Sequence, residues 1–106
     1  MDLTIMDRLL LLGILPAEGD ITTLRIVRDL RTDLSFSEED LTAFEIVSDA
    51  ATGLVRWNAE KETPKDVTIG AKARRIITEA LERLSNEKRL KADYIPLYER
   101  FVDAKD

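Results

Sequence analysis

The sequence predicts an α+β domain that is mainly helical, with the element order ααα-ββ-αα. Two observations lead to this class. Apolar residues recur at helical spacing in the first and last parts of the chain, whereas two short runs near the middle alternate apolar and polar residues, as half-buried strands do. A chain of 106 residues buries enough surface for one core, so we expect a single domain over residues 1–106.

The first helix is predicted from Leu3 to Leu15, with Asp2 as its cap and Pro16 as its stop. Its apolar residues cover nearly the whole cylinder, so the helix has to be buried on nearly all sides. It therefore either runs through the middle of the fold or meets a second copy of the chain in a homodimer. One face holds Met6, Leu9, Leu10 and Gly13, and further apolar residues in other directions are Ile5, Leu11, Leu12 and Leu15.

Helix two is predicted over residues 21–33, with Asp20 as its cap. Helix three has a strong start signal, because Ser37 with Asp40 three residues later resembles a capping box. We expect helix three to continue to a stop at Gly53. Its buried stripe would consist of Leu41, Phe44, Val47 and Ala51.

The alternating runs are predicted to form a β-hairpin from residues 53–58 and 66–70, joined by a charged loop. Its apolar face would pack on the helices, because two strands alone are marginally stable. If Trp57 anchors that face, its replacement by alanine should cost roughly 3–5 kcal/mol. The register that follows sets Trp57 opposite Val67 and Val55 opposite Ile69.

Two helices are predicted after the hairpin. Helix four, over residues 71–86, has the most regular amphipathic pattern of the chain. Helix five is predicted over residues 94–103, with Asp93 as its cap and Pro96 in its first turn. Its core-facing residues are Tyr94, Leu97, Tyr98, Phe101 and Val102.

Composition restricts the function. There is no cysteine and no histidine, so the commonest general base and the commonest metal ligands are missing. We therefore expect no enzyme, and we assign no catalytic, cofactor-binding or metal-binding residue and no cofactor. The longest apolar run, residues 9–15, is too short to span a bilayer and lacks the flanks of a signal peptide. The prediction is a soluble, unexported cytoplasmic protein with no membrane partner.

Carboxylates are concentrated at Glu38, Glu39 and Asp40 and continue with Glu45 and Asp49. Consecutive residues of a helix point in different directions, so Glu38, Glu39 and Asp40 cannot converge on one metal ion. Glu38, Glu45 and Asp49 lie near one face, but they are spread along three turns of the predicted helix. Negative charge at a helix start matches the helix dipole, and this structural interpretation is favoured over a metal or acid–base site.

Nucleic-acid binding is the main alternative to consider. Three helices followed by a hairpin have the outline of a winged helix, and seven basic residues are candidates for a phosphate-binding patch. The third helix would then enter the major groove, but it is acidic, and the net charge of the chain is −5. Nucleic acid is therefore an unlikely partner. The seven residues are Arg25, Arg28, Arg31, Arg56, Lys72, Arg74 and Arg75.

Two aromatic residues, Trp57 and Tyr98, are candidates for stacking on a ligand. Large aromatics at strand or helix spacing are more often part of a core, and we favour that interpretation for both.

Taken whole, the chain resembles small phage- or prophage-encoded proteins of unknown function. The resemblance is carried by LLLLGILP at residues 9–16, LSFSEE at 34–39, RWN at 56–58 and LYERF at 97–101. It implies a protein made in a bacterial cytoplasm, and it assigns no catalytic or binding residue.

These observations favour a small phage-type accessory protein that acts by binding an unidentified protein partner, without catalysis. Two alternatives stay open. One is a winged-helix-like DNA-binding regulator, and the other is an acidic nucleic-acid mimic that blocks a DNA-binding protein. The accessory protein would act with or without forming a homodimer through helix one.

Overall fold

The computed structural model describes residues 1–103 and shows an α+β fold that is mainly helical. Two short antiparallel sheets accompany the helices. In chain order the elements are β1 (Asp2–Leu3), α1 (Ile5–Ile14), α2 (Ile21–Leu34), α3 (Glu38–Ala43), β2 (Val47–Ser48), β3 (Val55–Arg56), β4 (Lys65–Asp66), α4 (Ala71–Asn86) and α5 (Ile95–Tyr98), which continues as a wider helical turn over Glu99–Asp103.

Helix α1 packs against both α2 and α4. It begins later than the sequence predicts, because residues 2–3 form β1 and Thr4, not Asp2, caps the helix with Asp7 in a capping box. The predicted face was also wrong, since Met6 and Gly13 are exposed. The buried positions are Ile5, Arg8 and Leu11, with Leu15 at the cap, while Leu9, Leu10, Leu12 and Ile14 are half-buried.

Helices α2 and α4 complete the core, and their predicted bounds are confirmed to within one residue. The side chain of Asp20 caps α2 as expected, by accepting a hydrogen bond from the backbone N–H of Thr23 (2.7 Å). The most deeply buried residues of the two helices are Val27, Leu30, Leu34, Ala73, Ile77 and Leu81.

The strand pairing differs from the predicted hairpin. Strand β3 pairs with β2, so that Val47 lies opposite Arg56. Strand β4 pairs instead with β1 at the start of the chain, where Asp2 lies opposite Asp66. The two predicted strands thus belong to different sheets, and the expected pairs of Trp57 with Val67 and of Val55 with Ile69 do not form.

Helix α3 ends at Ala43 rather than near Gly53. Glu45 has a positive φ of 53°, so the backbone there turns into a left-handed conformation that no helix can continue through. Of the predicted buried stripe, only Phe44 is buried, whereas Leu41, Val47 and Ala51 are exposed.

The C-terminal helix packs against α4 as its pattern predicts, with Leu97 and Phe101 buried. Asp93 does not cap it, because residues 92–94 form a separate 3₁₀ turn before α5. Arg100 ties the end of the chain to its start: its guanidinium donates to the carboxylate of Asp7 (3.2 Å) and to the carbonyl of Asp2 (2.9 Å).

Candidate protein-interaction surface

Residues 37–62, from the cap of α3 to the turn before β4, form a region with its own composition, which we call the acidic segment. It contains seven acidic and two basic residues, a net charge of −5. The other 80 residues hold fourteen of each sign. The net charge of the chain therefore resides entirely in the acidic segment.

The acidic segment adds no residue to the central hydrophobic cluster of the described chain. That cluster, and the half-buried apolar residues packed against it, come from residues 1–34 and 67–102. In the acidic segment only Phe44 is buried, and it lies outside the central cluster. The rest of the described chain, residues 1–36 and 63–103, is called the body below.

The first turn of α1 holds both ends of the acidic segment. At the start of the acidic segment, Asp40 completes the capping box predicted with Ser37. The same carboxylate accepts a hydrogen bond from the guanidinium of Arg8 in α1 (3.4 Å). At its end the carboxylate of Glu62 accepts a hydrogen bond from the backbone N–H of Ile5. The segment is thus fastened mainly by hydrogen bonds and charge.

Arg8 is the residue that the sequence analysis missed. It is only 1% exposed, and its guanidinium donates to the backbone carbonyls of Leu34 (3.0 Å) and Ser35 while stacking 4.0 Å from the centre of the Phe36 ring. It therefore closes the C-terminal end of α2, where carbonyls lack helical partners. A signal was present, because Arg8 shares a helical face with Ile5 and the buried leucines of α1.

Glu45 organises the middle of the acidic segment. Its carboxylate accepts from the ammonium group of Lys61 (2.7 Å) and from the side-chain amide of Asn58 (3.3 Å). The backbone N–H of Asn58 donates to the carbonyl of Phe44 (2.9 Å), which joins the same two stretches. The hydrogen bond from Lys61, followed by that from Asn58 and the charge of Lys61, lowers the pKa of Glu45.

The turn between β2 and β3 is built around Asp49. Its side chain accepts from the backbone N–H of Ala51 (2.9 Å), and its carbonyl accepts from the N–H of Gly53 (2.7 Å). Gly53 has a φ of +72°, which favours glycine. The backbone hydrogen bond from Ala51 lowers the pKa of Asp49, with further bonds from Thr52 acting in the same direction. Asp49, like Glu45, is thus an anion at neutral pH.

The β2–β3 hairpin exposes apolar side chains on one face. Residues alternate between the faces of a sheet, so Val47 and Leu54 point to one side, while Ile46, Val55 and Trp57 point to the other. Leu54 is 63% exposed and Val47 is 55% exposed, whereas the residues of the other face are half-buried. With Leu41, 40% exposed on α3, the acidic segment holds three of the six large apolar residues that are exposed in the described chain.

Both edges of this hairpin are open. Ser48 lies opposite Val55, and in the residue pairs on either side the two members are hydrogen-bonded to each other. The backbone N–H and C=O groups of Ser48 and Val55 therefore point outward from the hairpin. Within residues 1–103 neither backbone makes a hydrogen bond to another segment. An unpaired sheet edge can accept a strand from another chain.

The aromatic candidates have different surroundings. Tyr98 packs against the core cluster, as the favoured interpretation expects. Trp57 lies outside that cluster and is half-buried, lining a shallow cavity together with Glu45 and Glu60. The prediction that Trp57 anchors a hairpin to the helices was therefore wrong.

The charged candidates do not form a single site. No group of three acidic side chains within residues 1–103 is arranged to hold a metal ion. The basic residues of α4 are mixed with acids, since Lys72 and Arg75 line one groove between α2 and α4 together with Asp20 and Glu79. Arg74 is used internally, donating to the carbonyl of Arg100 (3.0 Å).

Comparisons with known proteins found no matching family model, no matching curated protein and no matching solved structure. Within residues 1–103, no helix is long and apolar enough to cross a membrane.

Proposed function

We propose that this protein is a non-catalytic binding module whose acidic segment docks a basic, apolar segment of a partner protein. One observation carries the proposal. The acidic segment holds the entire net charge of the chain and three of the six large apolar residues that are exposed within residues 1–103, yet it adds no residue to the central hydrophobic cluster.

The physical argument begins with the cost of exposing apolar surface. Val47 and Leu54 project into solvent from the same face of a hairpin, where more than half of each residue is exposed. Exposed apolar residues that lie together and are rimmed by charge are typical of interaction sites. Burial against a partner would supply affinity. Arg56 lies opposite Val47, but the net charge of the acidic segment is negative and would attract a basic partner and repel acidic ones.

The carboxylates are better suited to attraction than to catalysis. Glu45 and Asp49 have lowered pKa values because hydrogen bonds stabilise their charged forms. A general acid or base works best with a pKa near the operating pH, so these two groups are poor proton carriers at neutral pH. Both remain anions at neutral pH, although the charge of Glu45 is partly balanced by Lys61.

A peptide-display selection with the immobilised chain as bait tests the proposal. We expect the selected peptides to combine lysine or arginine with large apolar residues, and we expect their binding to weaken with added salt. The double variant Val47→Ser with Leu54→Ser should lose this binding. The matched control is Ile21→Ser with Ile95→Ser, which removes two equally exposed apolar residues from the body.

Selected peptides without net positive charge would contradict the proposal. Equal loss of binding in the control double variant would also contradict it, because the body would then be as important as the acidic segment.

An acidic nucleic-acid mimic is a second candidate, favoured by the concentration of seven carboxylates in 26 residues. In that case the partner is a DNA-binding protein and the acidic segment occupies its basic site. Duplex DNA should then displace the partner from this chain in a competition assay. A partner that binds this chain through a surface other than its own DNA-binding site would stay bound in the presence of DNA.

The winged-helix alternative gains no support from α3, which has six residues and three carboxylates in its first turn. We expect no binding of duplex DNA at physiological salt. Submicromolar binding in an anisotropy titration, weakening steeply with salt, would instead favour the DNA-binding regulator.

The main argument for a homodimer through helix one is also weakened, because the fold itself covers most of the apolar surface of α1. We expect a monomer of about 12 kDa in sedimentation. On the resemblance to phage-encoded proteins alone, we further propose that the partner is a protein of a bacterial cytoplasm.

A further inference from the structure

A second candidate site lies in the body, in a cleft of about 580 Å³. It opens between the ends of α1 and α4 and the turn that leads to α5. Its rim carries three cations, Arg83, Arg89 and Lys91, against a single acid, Glu87, which pairs with Arg89 at 3.5 Å. A volume of this size is within the range of small-molecule sites.

Ile14, Ala80 and Leu84 line the cleft and are half-buried, whereas its three cations are exposed, so the apolar residues form the floor. The aromatic ring of Tyr94 forms one wall and carries its hydroxyl into the same space. Burial, assisted by the charge of Asp93, raises the pKa of Tyr94, so this hydroxyl remains a neutral hydrogen-bond donor at physiological pH. An apolar floor with cationic groups and a donor above it is complementary to an anion with an apolar body.

Gly13 provides an independent observation. It lies in the last turn of α1, where alanine would favour the helix more than glycine does. Its backbone is not left-handed, and a Cβ atom there would approach only the Tyr94 hydroxyl, at an ordinary 3.6 Å. Neither backbone conformation nor packing therefore requires glycine, but a larger side chain would project into the cleft.

The charges of the rim are only partly explained by helix ends. Arg83 lies in the last turn of α4, where a cation interacts favourably with the helix dipole. Arg89 and Lys91 lie beyond the end of that helix. Within the described residues, Arg83 and Lys91 form no ion pair.

We propose that this basic cleft binds a small organic anion, with its carboxylate or phosphate group between Arg83, Arg89 and Lys91 and its apolar body on the floor beside Gly13. This site is independent of the protein-binding function proposed for the acidic segment.

Fluorescence titration of the full chain with 8-anilinonaphthalene-1-sulfonate tests the proposal, because this probe combines an apolar body with an anionic group. We expect saturable binding, and binding weaker by about tenfold or more for its neutral analogue N-phenyl-1-naphthylamine, since hydrogen bonds to charged groups are the stronger ones. Benzoate and phenyl phosphate serve as competitors, and stronger displacement by one of them assigns the anionic group.

Two sets of variants localise the probe. Arg83→Gln with Lys91→Gln should weaken binding by about tenfold or more. The control Arg75→Gln with Lys88→Gln makes the same charge change outside the cleft and should leave binding unchanged. Gly13→Leu should abolish binding by filling the cleft, with circular dichroism confirming that the helices remain.

Several results would overturn the proposal. They are the absence of saturable binding to the unmodified chain, equal binding of the neutral analogue, failure of both competitors, or an Arg83 and Lys91 variant that binds like its control. If Gly13→Leu fails to fold, the comparison of the two charge double variants tests the proposal by itself.

Discussion

The body and the acidic segment of this protein are stabilised in different ways. In the body, helices bury large aliphatic side chains completely, and Leu11, Ile77 and Leu81 are each 0% exposed. The acidic segment buries only Phe44 and is fastened by the contacts of Asp40 and Glu62 with the first turn of α1. Apolar residues of the body stabilise the fold, whereas those of the acidic segment remain available for another molecule.

This difference also separates the two proposed sites. The acidic segment combines a net negative charge with exposed apolar side chains and suits a basic partner. The basic cleft presents cations above an apolar floor and suits an anion. A chain of 106 residues can carry both because each depends on local charge and not on the net value.

The largest contrast is expected from matched leucine truncations. Leu81→Ala should reduce the free energy of unfolding by roughly 2–5 kcal/mol, because it leaves a cavity in the core. Leu54→Ala should change it by less than about 0.5 kcal/mol, since Leu54 is mostly exposed. Urea denaturation followed by circular dichroism measures both. Similar losses would show that the acidic segment is part of the core.

Arg8 connects the two regions, and its replacement should have the next largest effect. Arg8→Leu should cost roughly 1.5–3 kcal/mol, because carbonyls at the end of α2 lose a charged donor. Arg75→Leu is the control, as Arg75 is a solvated residue of α4. If both variants unfold at the same urea concentration, the hydrogen bonds of Arg8 to the end of α2 do not stabilise the fold.

Trp57→Ala should have a smaller effect than a core truncation, about 1–2 kcal/mol, because the ring is half-buried and lies outside the core cluster. A chemical melt of the variant, set beside that of Leu81→Ala, measures the difference. If Trp57→Ala lowered the free energy of unfolding as much as Leu81→Ala does, Trp57 would be an anchor of the fold after all.

The smallest expected effect is that of acid pH on the contacts within the acidic segment. Glu45 has a pKa below its ordinary value of 4.5, so its contacts with Lys61 and Asn58 are complete above that pH and are lost as the pH falls through the lowered pKa. Trp57 is the only tryptophan and lines a cavity with Glu45, so its emission reports on this change. We expect its emission to change before the helical circular dichroism signal of the body does.

The Glu45→Gln variant serves as the control and should lose most of this early response. If tryptophan emission and helical signal changed together in the unmodified chain, the acidic segment and the body would unfold as one unit.

The sequence by itself predicted the α+β class, the bounds of α2 and α4, the Asp20 cap and the capping box of α3. These features depend on residues within four positions of one another, so their pattern is visible in the chain itself. The concentration of charge in residues 37–62 was likewise present in the sequence, although its isolation from the core was not.

Only the tertiary structure decided the strand partners, the end of α3 and the burial of Arg8. Strands of two residues carry little register information, and β4 pairs with β1, more than 60 positions away. The apolar spacing of Val47 and Ala51 fits a helix, but the left-handed turn at Glu45, held by Lys61 and Asn58, ends α3 first. Arg8 is buried because its guanidinium donates to the backbone carbonyls of Leu34 and Ser35, which lie 26 and 27 residues further along the chain. These groups meet only when the helices are packed.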